Sequence, residues 1–262
     1  MIKYSEIILS VFLAMGTFFP VTGQEKMIFQ EDFNGDRLDM SIWNYEEGDG
    51  CPNLCGWGNN EEQVYDRKYV EVKDGNLVIT AVKKEGQYYS GKINTKGNIE
   101  ITYGVIEVRA KVATGKGLWP AIWMLGADIS EVGWPASGEI DILEYIGREP
   151  GMVFTSLHTP ASHGNTINTK KTRIEDIEEG FHTYKTVWTK DYIEFFVDDH
   201  SLYKFIPEKD DEEHYPFKKD FYFLINMAVG GNLGGAEIND EALPDKFYVD
   251  YIKVTELPEE LK

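Results

Sequence analysis

At 262 residues the chain falls between one and two domains of average size, but all-β sandwiches of about 200–250 residues fold as one unit. A 42% hydrophobic and 13% aromatic composition supplies a large core and excludes disorder as the dominant state. With 26 Lys+Arg against 45 Asp+Glu the net charge is −19, which excludes nucleic acid and an anionic membrane surface as partners, because both are held by basic side chains. The expected ligand is neutral or cationic.

In chain order, Lys3 and the apolar stretch over residues 7–21, with Leu9, Val11, Phe12, Leu13, Phe18 and Phe19, predict an export signal. Val21-Thr22-Gly23 is a small-residue cleavage pattern ahead of Gln24. The apolar stretch is shorter than the ~20 residues a membrane span needs. The expectation is a signal peptide over 1–23 and a single mature domain over 24–262, periplasmic or secreted and free of the membrane once the signal is removed. Cys51 and Cys55, the only cysteines, read equally as a small-loop disulfide or as two loop thiols, and two cysteines do not make a zinc site.

Short β-branched and aromatic runs follow, separated by Gly, Asn, Asp and Pro. Asp74-Gly75 is a turn signal leading into a strand over 76–82. Alternation over 105–112 sets Ile106, Val108, Ala110 and Val112 on one face and Glu107, Arg109 and Lys111 on the other. Further strands are expected at 192–197, 221–229 and 247–254. Helical periodicity is missing except for two turns at most over 172–179, and the acidic stretch 208–214 reads as a solvated loop. The class is all-β, and a two-sheet jelly-roll sandwich is favoured.

The chemistry concentrates in Gly138-Glu139-Ile140-Asp141-Ile142-Leu143-Glu144-Tyr145. On a strand, Glu139 and Asp141 share a face, but Glu144 is an odd number of positions from Glu139 and would point the other way. One extra residue, a β-bulge near Leu143, returns Glu144 to the face of Glu139. Two glutamates leaning together from there reach roughly 5–6 Å between carboxyl groups, the spacing of a retaining glycosidase. Asp141 between them discourages simultaneous ionisation, so that one glutamic acid keeps its proton while the other is charged. Trp119, Trp123 and Trp134 lie close by in sequence, and indole faces pack well on the C–H faces of sugar rings.

The segment 138–144, preceded by Trp134-Pro135, resembles the catalytic signature of glycoside hydrolase family 16 in its bulged form, Glu-x-Asp-x-x-Glu. The segments 57–61, 74–81, 103–111, 117–125 and 226–232 are similar, in that order, to the laminarinase-like branch, and the likeness runs from about 29 to 254. The resemblance implies a β-jelly-roll of two antiparallel sheets with a concave cleft, and a retaining, endo-acting hydrolase of β-1,3-glucan or mixed β-1,3/1,4-glucan. By position it implies Glu139 as nucleophile, Glu144 as acid/base and Asp141 as the assisting carboxylate. It also implies Trp119, Trp123 and Trp134 as sugar-stacking residues, with Asn59, Glu107, Arg109, His158 and Asn226 lining the cleft. No cofactor is expected for catalysis. A structural calcium ion is implied away from the cleft, with Glu31, the Gly75 carbonyl and Asp250 as candidate ligands. The partner is a β-glucan polysaccharide and the chain is expected to be a monomer.

One position departs from the pattern. Leu233 stands where many laminarinase-like members carry Trp, which bears on the choice between β-1,3-glucan and mixed-linkage glucan. Two rival readings are a glucan-binding protein that no longer cuts and a galactan-directed hydrolase. The intact carboxylate set speaks against the first. The Trp119-Pro120-Ala121-Ile122-Trp123 pattern and the acidic composition speak against the second.

Overall fold

A computed structural model describes residues 26–198 and 200–262. The expected signal segment lies outside the described residues. The strands are β1 (Met27–Glu31), β2 (Asn44–Tyr45), β3 (Gln63–Tyr65), β4 (Val70–Lys73), β5 (Asn76–Lys84) and β6 (Gln87–Ser90). There follow β7 (Lys92–Asn94), β8 (Gly104–Lys111), β9 (Leu118–Gly126), β10 (Glu139–Tyr145), β11 (Met152–His158) and β12 (Lys170–Arg173). The last five are β13 (His182–Trp188), β14 (Ile193–Val197), β15 (His200–Phe205), β16 (Phe221–Val229) and β17 (Asp245–Thr255).

They form two sheets. A seven-stranded sheet runs β12-β11-β10-β9-β16-β7-β2, and a ten-stranded sheet runs β15-β14-β13-β8-β17-β5-β6-β3, with β1 on β17 and β4 on β5. Pairing is antiparallel as expected, except that β3 lies parallel to β6. The Asp74-Gly75 turn joins β4 to β5 with both residues at positive φ (53° and 73°), the two-residue hairpin geometry that matches strand twist. The helical turns expected at 172–179 do not form. Lys170–Arg173 is instead the edge strand β12, and turns follow it, because this polar stretch has no apolar stripe to bury as a helix.

The two sheets face each other across one apolar core. The ten-stranded sheet contributes Ile106, Val108 and Ala110 of β8, and the seven-stranded sheet contributes Ile140, Ile142, Leu143 and Tyr145 of β10 with Phe223, Ile225 and Met227 of β16. Each large apolar side chain removed from water there is worth roughly 1.5–3 kcal/mol. The other face of the seven-stranded sheet is thereby left for polar and aromatic side chains. Cys51 and Cys55 form a disulfide in the loop that precedes β3. Among the described residues no helix is long and apolar enough to cross a membrane.

Candidate active site

Three adjacent strands bring the sequence-predicted carboxylates together. Across the β10–β11 ladder Glu139 pairs with His158 and Asp141 with Ser156, after which the register shifts and Glu144 pairs with Phe154. Across β10–β9, Asp141 faces Trp123 but Leu143 faces Ile122, so Ile142 is the extra residue of a bulge. This is the irregularity that the spacing of the two glutamates demanded. Ile142 and Leu143 both enter the core, while Asp141 and Glu144 emerge on the same outer face at 4% and 7% exposure. Gly138, at φ +73°, starts the strand; a Cβ there would lie 3.0 Å from Pro216 and 3.1 Å from Phe221. The chain can therefore enter β10 at this tight point only with glycine.

Each glutamate is held by an indole. Trp134 Nε1 donates to Glu139 Oε2 at 3.0 Å, and Trp119 Nε1 donates to Glu144 Oε1 at 3.1 Å. Ser156 Oγ donates to Glu144 Oε2 at 3.3 Å. His158 Nε2 lies 3.2 Å from Asp141 Oδ2 and 3.6 Å from Glu139 Oε1, and its Nδ1 accepts the Gly164 N–H at 3.1 Å. An accepting Nδ1 places the ring proton on Nε2, the nitrogen nearer the two carboxylates.

Burial and mutual repulsion set the charge state. Desolvation raises all three carboxyl groups. Asp141 is pushed up to about 7 by burial, and Glu144 to about 8 by burial and then by the charge of Asp141. Burial and Asp141 also push Glu139 well above the ordinary carboxylate range, and His158 and the Trp134 N–H draw it back. Three carboxyls on one face in a dry site do not all ionise near neutrality. The cluster therefore keeps a proton near neutrality, as an acid step requires.

Glu139, Asp141 and His158 also bring ligand atoms within 4.8 Å of one another. A cation would need the Nε2 lone pair, whereas the Gly164 contact leaves that nitrogen protonated.

The cleft continues over β9, β16 and β7. Trp123 Nε1 donates to Asn226 Oδ1 at 2.7 Å, Asn226 Nδ2 to the Tyr65 hydroxyl at 3.0 Å, and Tyr65 to Glu61 Oε2 at 3.0 Å. Gln63 and Asn59 also donate to Glu61, at 2.7 and 3.2 Å. An indole can only donate and a carboxylate can only accept, so the chain has a single direction and holds the Trp123 ring at a fixed angle. Lys92 pairs with Glu46 at 3.0 Å and stands 4.0 Å over the Trp57 ring and 5.4 Å from that of Trp123. Tyr65, Glu61, Lys92, Glu46 and Ser156 escaped the sequence reading. Buried polar residues on the strands flanking a motif were the available signal, and they reveal themselves only once strand neighbours are known.

Of the six tryptophans, Trp43 and Trp188 are fully buried in the core and Trp134 is 45% exposed beside Glu139. Trp119 and Trp123 lie on the cleft face of β9. Asn226 is the partner of Trp123, Asn59 donates to Glu61 at the far end of the same chain of hydrogen bonds, and His158 stands beside Asp141. Leu233 packs beside Trp119 and Phe154 at one end of this face.

Glu107 and Arg109 do not belong to the cleft. Both sit on β8 in the ten-stranded sheet, on the face turned away from the core. There Glu107 accepts the Tyr251 hydroxyl at 2.7 Å and Arg109 pairs with Asp250. Their alternation was read correctly, but the outer face of the other sheet is just as polar as the cleft.

The calcium candidates lie in the ten-stranded sheet, Glu31 on β1, Gly75 in the turn between β4 and β5, and Asp250 on β17. Glu31 accepts the Phe33 N–H at 2.8 Å and the Trp43 indole N–H at 3.3 Å, and Asp250 is the partner of Arg109.

The family model for glycosyl hydrolases family 16 matches residues 58–256, around the bulged carboxylate strand and its tryptophans. The chain belongs to glycosyl hydrolase family 16. It is 57% identical to a laminarinase from Flavobacterium sp. UMI-01 of known crystal structure, with a TM-score of 0.87 over 88% of this chain and 100% of that one. It is 37% identical to the Beta-glucanase of Rhodothermus marinus over 87% of this chain and 84% of that protein. It is also 37% identical to Glucan endo-1,3-beta-glucosidase A1 of Niallia circulans over 90% of this chain, and spans 38% of that longer protein. The family-16 likeness runs to its laminarinase branch, and the two sheets are the jelly-roll of that branch.

Proposed function

We propose that the protein is an exported, retaining endo-β-glucanase acting on β-1,3-glucan, on mixed-linkage β-1,3/1,4-glucan, or on both. The observation that carries this reading is the bulge at Ile142, which puts Glu139, Asp141 and Glu144 on one buried face with a separate indole on each glutamate. The relatives named for laminarin and β-glucan cleavage support the polymer class.

In the first step a Glu139 carboxylate oxygen bonds to the anomeric carbon as the glycosidic C–O bond breaks, and Glu144 gives its proton to the departing oxygen. In the second step Glu144, now charged, takes a proton from water. That water attacks the anomeric carbon and frees Glu139. Asp141, beside Glu139 and under His158 Nε2–H, absorbs the change of charge on the nucleophile. Trp119, Trp123, Trp134, Asn59, His158 and Asn226 line the sugar-binding face. The predicted signal at 1–23, the acidic surface and the uncharged polymer suit work outside the cytoplasm by a monomer, with no cofactor in the chemistry.

Product analysis tests the reading. The mature protein is offered laminarin, cereal mixed-linkage glucan, cellulose and agarose. Oligosaccharides from either or both of the first two, with the β-anomer formed first by NMR, are the expected result. Products from agarose alone, or binding of glucan with no product from any polymer, overturn it. The ratio of rates on laminarin and cereal glucan reports the effect of Leu233.

A further inference from the structure

Ser156 lies on β11 beside the glutamate that the mechanism uses twice, and it is itself 3% exposed. Its Oγ is 3.3 Å from Glu144 Oε2 and 3.0 Å from Thr169 Oγ1, and Thr169 is exposed to solvent. On the other side of the carboxyl group, Oε1 receives the Trp119 N–H at 3.1 Å. An indole nitrogen can only donate, so Oε1 is always an acceptor and the acid proton of Glu144 belongs on Oε2. The Ser156 hydroxyl has no such fixed role. Between two oxygens it can donate to either and accept from the other.

On the premise that Glu144 is the acid/base, we propose that Ser156 and Thr169 form a reversible hydroxyl pair that follows the proton on Glu144 and positions that residue for both steps. When Glu144 is protonated, Ser156 turns its hydrogen to Thr169 and leaves the Oε2 proton free for the glycosidic oxygen. As that proton departs, Ser156 rotates its hydrogen onto Oε2 and Thr169 donates to Ser156, so the new negative charge meets a donor without movement of any heavy atom. No proton is lost or gained by the pair; only hydroxyl orientations change. Hydrogen bonds to a charged acceptor are about twice as strong as neutral ones, so the pair favours the charged form.

The groups that face Glu144 are Asp141 and Glu139 on its own strand and His158 on β11. β9 presents the non-titrating Trp119, and Lys171 on the β12 edge is paired with Glu149. Removing the Ser156 hydroxyl changes none of these charges.

The test is the pH dependence of kcat/KM on a laminarin oligosaccharide for Ser156→Ala, Ser156→Thr and Thr169→Val. The alkaline limb is expected to move up by about half to one pH unit in Ser156→Ala, because the charged form alone has lost a strong donor. It moves by less in the same direction in Thr169→Val, and returns to the parent position in Ser156→Thr. An alkaline limb in Ser156→Ala that coincides with the parent or moves down, in a protein of parent melting temperature, overturns the hydroxyl pair. Glu144→Gln separates the premise from the inference. If that variant keeps parent turnover and the same alkaline limb, the acid/base reading falls, and the hydroxyl pair with it. If its turnover is lost while Ser156→Ala leaves the limb unmoved, only the hydroxyl pair falls.

Discussion

Strands β8 and β10 carry the same kind of alternation and end in opposite roles. Both interleave apolar residues with charged ones, and both bury their apolar set in the same core. On β8 the polar set faces outward and is partnered locally, Glu107 accepting a tyrosine hydroxyl and Arg109 paired with Asp250. On β10 the polar set is covered by the indoles of Trp119 and Trp134 and by His158, so three carboxyls share a dry site where, among the described residues, the basic neighbour is that histidine. An acidic residue on a strand becomes chemistry when its neighbours desolvate it and do not neutralise it.

The sharpest way to break the contrast is Glu139→Gln. Turnover of laminarin is expected to fall by about three orders of magnitude or more, with the melting temperature near that of the parent, because an amide cannot form the glycosyl ester. Reducing-sugar assay and calorimetry on the same preparation read both. Deletion of Ile142 removes the bulge and turns Glu144 toward the core, where its carboxyl has no partner. Activity is expected to vanish and urea unfolding to show a loss of roughly 3–5 kcal/mol.

Glu144→Gln gives a pH-dependent difference in stability. The folded protein holds the Glu144 proton up to about 8 against an ordinary value of 4.5, so the folded state binds the proton more tightly than the unfolded one. That contribution is complete below about 4.5 and is lost as pH rises through 8. The glutamine variant does not lose it. Thermal melts are expected to coincide near pH 4 and to separate in favour of the variant by on the order of 5 kcal/mol above pH 8. A constant gap across that window contradicts the assignment.

Tyr65→Phe cuts the directional chain under Trp123 while keeping the ring that packs 5.3 Å from Trp57. KM for laminarin oligosaccharides is expected to rise about tenfold with kcat within about threefold, since a lost hydrogen bond of roughly 1.4 kcal/mol is felt in sugar binding and not at the reacting bond. The smallest effects belong to the outer sheet. Glu107→Gln and Arg109→Ala are expected to leave kcat/KM within about twofold and to change stability by less than about 1 kcal/mol. A large loss of activity in either restores them to the cleft.

Much of this protein is decided locally and so was legible in the sequence. Period-two alternation named the strands and their apolar faces, the Asp74-Gly75 pair named a hairpin, and the odd spacing of Glu139 and Glu144 on one strand demanded a bulge. Each depends on neighbours a few residues apart, whose relative directions follow from backbone geometry. The helical turns expected at 172–179 failed because Thr172 and Arg173 pair with β11 as its edge strand and the polar residues after them have no apolar stripe to bury. What the tertiary structure alone decided is which strands share a sheet and which polar face is covered. That placed Glu107 and Arg109 outside the cleft and brought Ser156, Tyr65, Glu61 and Lys92 under it. The physical reason is that desolvation and hydrogen bonding are set by residues far apart in the chain, and one strand's alternation carries no information about what lies across from it.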